Sequence, residues 1–215
     1  MRIAAGHLGG LLHQDQGGRT LPKLAPPAPD DLIDAAVRLF ASGGAGAITM
    51  ASVCREAHLP SGTASRVFPD RPSLLAETWI RTTSRFHAVM IELLGEAPDK
   101  ADAIAATIAG VDWFLAHPAE AVVLDAGRGS FDSASWPPAL LERERRSQQA
   151  WMTRLDAASR RVAASLGLLP NEVRFALEDV PRAVVRPYLQ SGRPMPFSTV
   201  GLASEIANRI LTVQH

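Results

Sequence analysis

Within this 215-residue chain, Thr49, Ser61, Gly62, Thr63, Ser65, Arg66 and Arg71 combine types and spacing suited to one chemistry, the binding of phosphate and base edges. Small hydroxyl residues and glycine let backbone N–H groups approach a phosphate closely. An arginine can pair with a phosphate or fork onto guanine O6 and N7. Residues 49–85 hold five arginines (55, 66, 71, 81 and 85) against three carboxylates (Glu56, Asp70 and Glu77), a modest positive patch. The whole chain balances 22 basic against 22 acidic side chains, so no global field attracts a polyanion. One such patch binds DNA weakly. Two copies double the phosphate contacts, and affinity is steep in that number, so this chemistry calls for a dimer.

Other chemistries lack their residues. The six histidines show no H-E-x-x-H and no paired ligand spacing, so no metal site is expected. No G-x-S-x-G, Walker A or G-x-G-x-x-G occurs, so neither an enzyme nor a cofactor is expected. Gly127-Arg128-Gly129-Ser130 resembles a phosphate loop only superficially, because no strand precedes it. The single cysteine, Cys54, excludes an intramolecular disulfide and reads as a structural thiol on a short amphipathic helix. No apolar run approaches the roughly 18 residues of a membrane span. Residues 3–12 are too interrupted by Gly and His for a secretory h-region. A cytoplasmic location is the simple expectation.

The elements that must position these residues are helical. Residues 1–29 hold five of the 16 glycines and four of the 16 prolines, which predicts a disordered extension. Leu32, Ile33, Ala36, Val37 and Phe40 then line one face of a first helix, with Asp30, Asp31 and Asp34 in its first turn. Thr49 caps a short second helix, Ser61 caps a third that runs to Phe68, and a fourth runs from Asp70 to about Gly95. The layout is a helix-turn-helix, with Gly62, Thr63, Ser65 and Arg66 expected on the outer face of the third helix. Further helices are expected near 99–116, 118–127, 137–166, 171–190 and 197–213, with Pro181 and Pro187 kinking the fourth of these. The fold class is therefore all-α with about nine helices, divided into a helix-turn-helix head over 30–76 and a larger helical body over 77–215.

The ordered set Ala35-Ala36, Leu39-Phe40, Gly43-Gly44, Thr49, Val53, Ala57, Leu59, Ser61-Gly62-Thr63, Phe68-Pro69, Arg71 and Leu74-Leu75 resembles the head of the TetR family of bacterial transcriptional regulators over about 50 residues. Three positions depart from the usual pattern: Ser65 replaces a phosphate-contacting Tyr, Arg66 a His, and Ala64 a Leu. Arg71 stands where a Lys normally contacts phosphate and keeps its charge. The resemblance implies a homodimeric regulator, a repressor released from a pseudo-palindromic operator by a small molecule. It also implies an effector cavity in the body, for which Trp113, His117, Arg128, Trp136, Trp151 and Phe175 are the candidate lining, with Asp125 a further polar group. Aromatics at helical spacing are otherwise core residues. A mostly apolar lining predicts a hydrophobic or amphipathic effector.

The last two helices carry stripes that suit a dimer interface: Val173, Leu177, Val180, Val184 and Tyr188, and Thr199, Ala203, Ile206, Ile210 and Val213. The same stripes also suit packing onto the body. A rival reading keeps the helical body as a small-molecule-binding protein whose head no longer reads DNA.

Overall fold

The computed structural model describes residues 29–212, all of whose regular elements are helices. Helix α1 spans Pro29–Gly43, with Asp30 and Asp31 in its first turn. A 3-10 turn over Ala45–Ala47 leads to α2, Met50–Glu56, and α3, Thr63–Val67. Helix α4 runs over Arg71–Leu94, and α5 and α6 over Lys100–Ala116 and Pro118–Ala126. Two 3-10 turns, Arg128–Phe131 and Ser133–Ser135, precede α7, Pro138–Leu166. Helix α8, Pro170–Arg174, passes through a π-helical turn over Phe175–Asp179 into α9, Val180–Ser191, and α10 closes the described chain over Ser198–Ile210.

Local chemistry accounts for the boundaries. At the start of α4 the Asp70 carboxylate accepts from the Ser73 N–H at 2.8 Å, and Pro72 sits in the first turn, where no N–H is needed. Asp99 and Asp102 form a reciprocal capping box on α5. The π turn lies just ahead of Pro181, whose ring supplies no N–H; a widened turn there accommodates the break that the sequence reading places at a kink. Pro29 belongs to α1 and not to the expected extension, which otherwise lies outside the described residues. Among the described residues no helix is long and apolar enough to cross a membrane.

Two apolar cores form. One gathers Phe86, Met90, Trp113, Phe114, Trp151, Leu155, Leu177 and their neighbours in the body. The other joins Leu32, Val37, Phe40, Ile48, Val53, Leu74 and Leu75 of the head to Val123, Phe131 and Trp136. The packing therefore has no break at residue 76. Phe131 stacks on Phe40 at 4.2 Å between centroids and lies 5.7 Å from Trp79, so the segment after α6 completes the head core.

Ion pairs strengthen the same seam. Arg81 on α4 reaches Asp34 and Asp30 on α1, and lies 3.7 Å from Glu120 on α6. Arg85 donates to Glu120 at 2.8 Å. Glu120 is buried, so these charges hold together the two helices that meet the head. Arg81 and Arg85, two of the five arginines of the positive patch, are thus engaged within the protein.

Both apolar stripes proposed for a dimer turn inward. Val173, Leu177, Val180 and Val184 belong to the body core, Ala203 is buried with them, and Ile206 and Ile210 pack against it. Tyr188 is half-buried and Thr199 buried, while Val213 lies outside the described residues. The stripes are what a single protomer needs to seat its last helices. The outward faces carry other apolar groups: Phe175 is 49% exposed, Phe197 89% and Leu202 50%.

Candidate DNA-binding surface and effector cavity

Helices α2 and α3 form the helix-turn-helix. Thr49 caps α2 through a reciprocal box: the Ser52 N–H donates to Thr49 Oγ1 at 3.0 Å, and the Thr49 N–H donates to Ser52 Oγ at 2.8 Å. Thr49 nevertheless stays exposed as a residue.

The entry to α3 differs from the sequence expectation. The helix starts at Thr63, and its N-cap is Gly62, in the left-handed region at φ 86°, with no side-chain cap bond. Glycine takes that conformation without a Cβ clash. Ser61 therefore lies one residue before the cap, exposed. Thr63 does not face outward; it is 5% exposed and packs beneath the helix with Ala64. The cause is helical phase. Starting one residue later than expected leaves Ser65 and Arg66 as the exposed side chains of the short helix, next to Gly62 and Ser61.

Cys54 takes part in this turn. Its Sγ accepts from the backbone N–H of Ala64 at 3.2 Å and is buried. A helix without a side-chain cap leaves orphan N–H groups, and the thiol satisfies one of them. The structural role expected for Cys54 holds, with a partner no spacing rule indicates.

Arg71 is drawn into the fold. Its Nε donates to the Ile48 carbonyl at 2.7 Å and its Nη2 to the Ala45 carbonyl at 2.6 Å. The guanidinium clamps the loop before α2 onto the start of α4, so its role as a phosphate ligand is reduced to whatever donors remain. Arg38 pairs with Glu56 at 2.7 Å. Arg55 and Arg66 are exposed and form no side-chain hydrogen bond or ion pair among the described residues. These two are the cations the head can offer outward, and the sequence reading singled out only Arg66.

In the body, a cavity of about 720 Å³ opens between α4, α6, α7 and the π turn with α9. Trp79, Thr83 and His87 present one face of α4 to it at i, i+4 and i+8. Leu124 and Met152 supply apolar wall, and Arg128, Arg182 and Arg186 approach from three directions. Arg186 pairs with Asp125 at 2.8 Å, Arg182 with Glu178 at 3.4 Å and Arg128 with Glu144 at 3.7 Å.

His87 is 6% exposed and stacks face to face on Trp151 at 4.4 Å. Burial, together with the neighbouring Arg182 charge, lowers its pKa from 6.5 to about 4, so the ring is neutral at pH 7.

Of the six candidate effector residues only Arg128 lines this cavity. Trp151 sits behind His87, fully buried. Trp113 is core, edge-on to Phe86 and Phe114, and His117 stacks on it with its Nδ1 2.9 Å from the Trp113 carbonyl oxygen. Trp136 is buried in the head core, where its Nε1 donates to the Phe131 carbonyl at 2.8 Å, and its ring carries the Arg128 guanidinium at 5.5 Å. Phe175 lies half-exposed by a separate groove near Gly167 and Arg209. Trp113, Trp136 and Trp151 follow the core and not the cavity, whose wall mixes polar and apolar side chains. Asp125 was identified; His87, Trp79 and Arg182 were not, since helical phase alone does not say which face of α4 meets a void.

The class follows from these features: an all-helical regulator with a helix-turn-helix head and a cavity-bearing body. Residues 32–78 match the family described as "Bacterial regulatory proteins, tetR family", and this head makes the chain a DNA-binding transcriptional regulator. No curated protein matches it in sequence. Solved structures share the fold at low identity. The transcriptional regulator FadR from Bacillus subtilis, in complex with stearoyl-CoA, is 16% identical with a TM-score of 0.65, covering 87% of this chain and 100% of its own. PfmR from Thermus thermophilus is 17% identical with a TM-score of 0.63, over 86% and 99%. AmtR from Mycobacterium smegmatis is 18% identical with a TM-score of 0.57, over 90% of each chain.

Proposed function

We propose that the chain is a cytoplasmic homodimeric repressor that leaves a pseudo-palindromic operator when a small molecule fills the cavity between α4, α6, α7 and α9. The carrying observation is that α6 serves both regions. Its Leu124 and Asp125 line the cavity, while its Glu120 is tied to Arg81, which holds α1 of the head. A ligand that shifts α6 acts on the head through this pair and through the Phe40–Phe131 stack. The switch requires the ligand to favour one head placement over the other, typically by about 1–3 kcal/mol.

In this reading residues 30–76 contact DNA and residues 77–215 bind effector and partner. Ser61, Gly62, Ser65, Arg66 and Thr49 face the operator, joined by Arg55. Thr63 and Arg71 support that surface from beneath and beside it. The dimer uses the outward faces of α9 and α10, where Ala183, Pro187 and Leu202 are exposed beside Phe197. A small amphipathic effector suits the cavity; FadR of Bacillus subtilis was solved with stearoyl-CoA, an amphipathic molecule. No cofactor enters the scheme.

Site selection from random duplex DNA with the purified protein tests this reading. A pseudo-palindrome with half-sites about 34–36 Å apart is expected. One observation favours the rival, a ligand-binding protein with a silent head: Arg71, Arg81 and Arg85 are engaged within the protein, which leaves Arg55 and Arg66 for DNA. Recovery of unrelated sequences by a folded dimer supports that rival.

A further inference from the structure

Resting on the effector reading above, we infer that the cavity selects an anionic amphipath: a carboxylate-type headgroup seated between His87 and Arg182, with an apolar body along Trp79, Leu124 and Met152. The walls carry four arginines (Arg128, Arg145, Arg182 and Arg186) against three carboxylates (Asp125, Glu144 and Glu178), and Arg145 is held by Glu142 just outside the lining. All three carboxylates are already occupied, Asp125 by Arg186, Glu144 by Arg128 and Glu178 by both Arg174 and Arg182. Arg182 shares Glu178 at 3.4 Å with Arg174 at 3.3 Å, and its buried Nε has no hydrogen-bond partner. Its charge is therefore incompletely matched within the protein.

His87 supplies the second mark of a ligand. It lies more than nine-tenths buried, lines the cavity, and makes no hydrogen bond among the described residues. Its ring nitrogens have no protein partner and keep accessible surface, so a ligand entering the cavity can bond to them. The neutral ring offers one N–H donor beside the guanidinium donors of Arg182. An anionic oxygen accepts from both. A cationic headgroup would meet Arg182 as a like charge within a few ångströms and find one ring nitrogen as its acceptor. The apolar side chains of the lining are Trp79 from α4, Met152 from α7 and Leu124 from α6.

Calorimetric titration of the full chain tests this with two pairs of equal body: decanoate against decylamine, and 2-naphthoate against 2-naphthylmethylamine. At least one carboxylate is expected to bind tenfold or more tightly than its amine. Arg182→Gln and His87→Phe are each expected to weaken that carboxylate by about tenfold or more, the usual effect of a lost hydrogen bond to a charged group. Arg182→Lys, which keeps the charge, is expected to recover part of the loss and shows that the site still folds. Amines that bind as well as the carboxylates overturn the inference, as does carboxylate binding unaffected by both variants, or no carboxylate binding at all. A DNA shift assay on the same preparation separates the two claims. Protein that binds DNA but prefers neither carboxylate defeats the anion inference alone. A carboxylate that binds through Arg182 without altering DNA affinity supports the anion site and defeats its coupling to the head.

Discussion

Replacing Glu120 by Gln isolates the charge that joins the cavity side of the molecule to its head. Glu120 is almost fully buried; Arg85 donates to its Oε1 at 2.8 Å and Arg81 stands 3.7 Å away. Glutamine keeps the shape and one acceptor but removes the negative charge facing two guanidiniums. Stranding a buried charge outright costs about 3–5 kcal/mol. Here Arg81 retains Asp34 and Asp30, and Arg85 is nearly half in water, where screening weakens its share. The buried Oε2 of Glu120 has no partner, so losing it returns some desolvation. The expected cost is therefore about 1–2 kcal/mol. At about 2–4 °C per kcal/mol for a chain of this size, Tm falls by roughly 2–8 °C. Thermal unfolding by circular dichroism reads this, and Arg81→Met alone and combined with Glu120→Gln completes a double-mutant cycle. A non-additive cycle together with a weakened effect of ligand on DNA affinity is the expected outcome. An unchanged Tm with strictly additive single effects would refute the reasoning that this pair holds α6 to the head.

Further outcomes follow from the same packing. Cys54→Ala removes the acceptor for the Ala64 N–H at the uncapped start of α3, which costs about 1–3 kcal/mol in chemical denaturation and weakens DNA binding with it; Cys54→Ser, which keeps an acceptor, is expected to lose less. Phe131→Ala deletes the ring stacked on Phe40 inside the head core and costs about 3–5 kcal/mol, read as a lower denaturant midpoint. The pKa of His87, lowered from 6.5 to about 4, makes stability depend on pH. As pH falls below about 6.5 the unfolded chain takes up a proton the folded ring refuses, so stability is lost between pH 6.5 and 4 and is level above. Wild type loses roughly 2–3 kcal/mol from this group between pH 7.5 and 4.5, and His87→Phe, which keeps the stack on Trp151, lacks that component of the pH slope.

The helices were legible because their signals are local. Thr49, Asp70 and Asp99 act as caps wherever they stand at a helix start, and the apolar face of α1 repeats at the helical period. The helix-turn-helix was legible for the same reason. The phase of α3 was not: Ser61 looks like a cap, but the left-handed turn at Gly62 delays the helix and turns Thr63 inward. Arg71 and Arg81 show the limit of counting charges. Each is spoken for by partners that lie 23 to 51 residues away in sequence. The cavity was the least legible part. Bulky aromatics fill cores because they bury the most area, so Trp113 and Trp136 went to packing. The void is bounded by residues from four separate segments whose convergence only the tertiary fold reveals.

The central claim, that a pair of heads grips DNA through α3, is tested most directly by measuring affinity for the selected operator across a range of salt, for wild type and Arg66→Ala. Arg55 and Arg66 on two heads neutralise about four phosphates, which predicts a slope of log K against log salt near −4. Arg66→Ala removes about two of these contacts and is expected to reduce the slope to near −2 with a folded, dimeric protein. A slope unchanged by Arg66→Ala, or one near zero for wild type, would contradict the account.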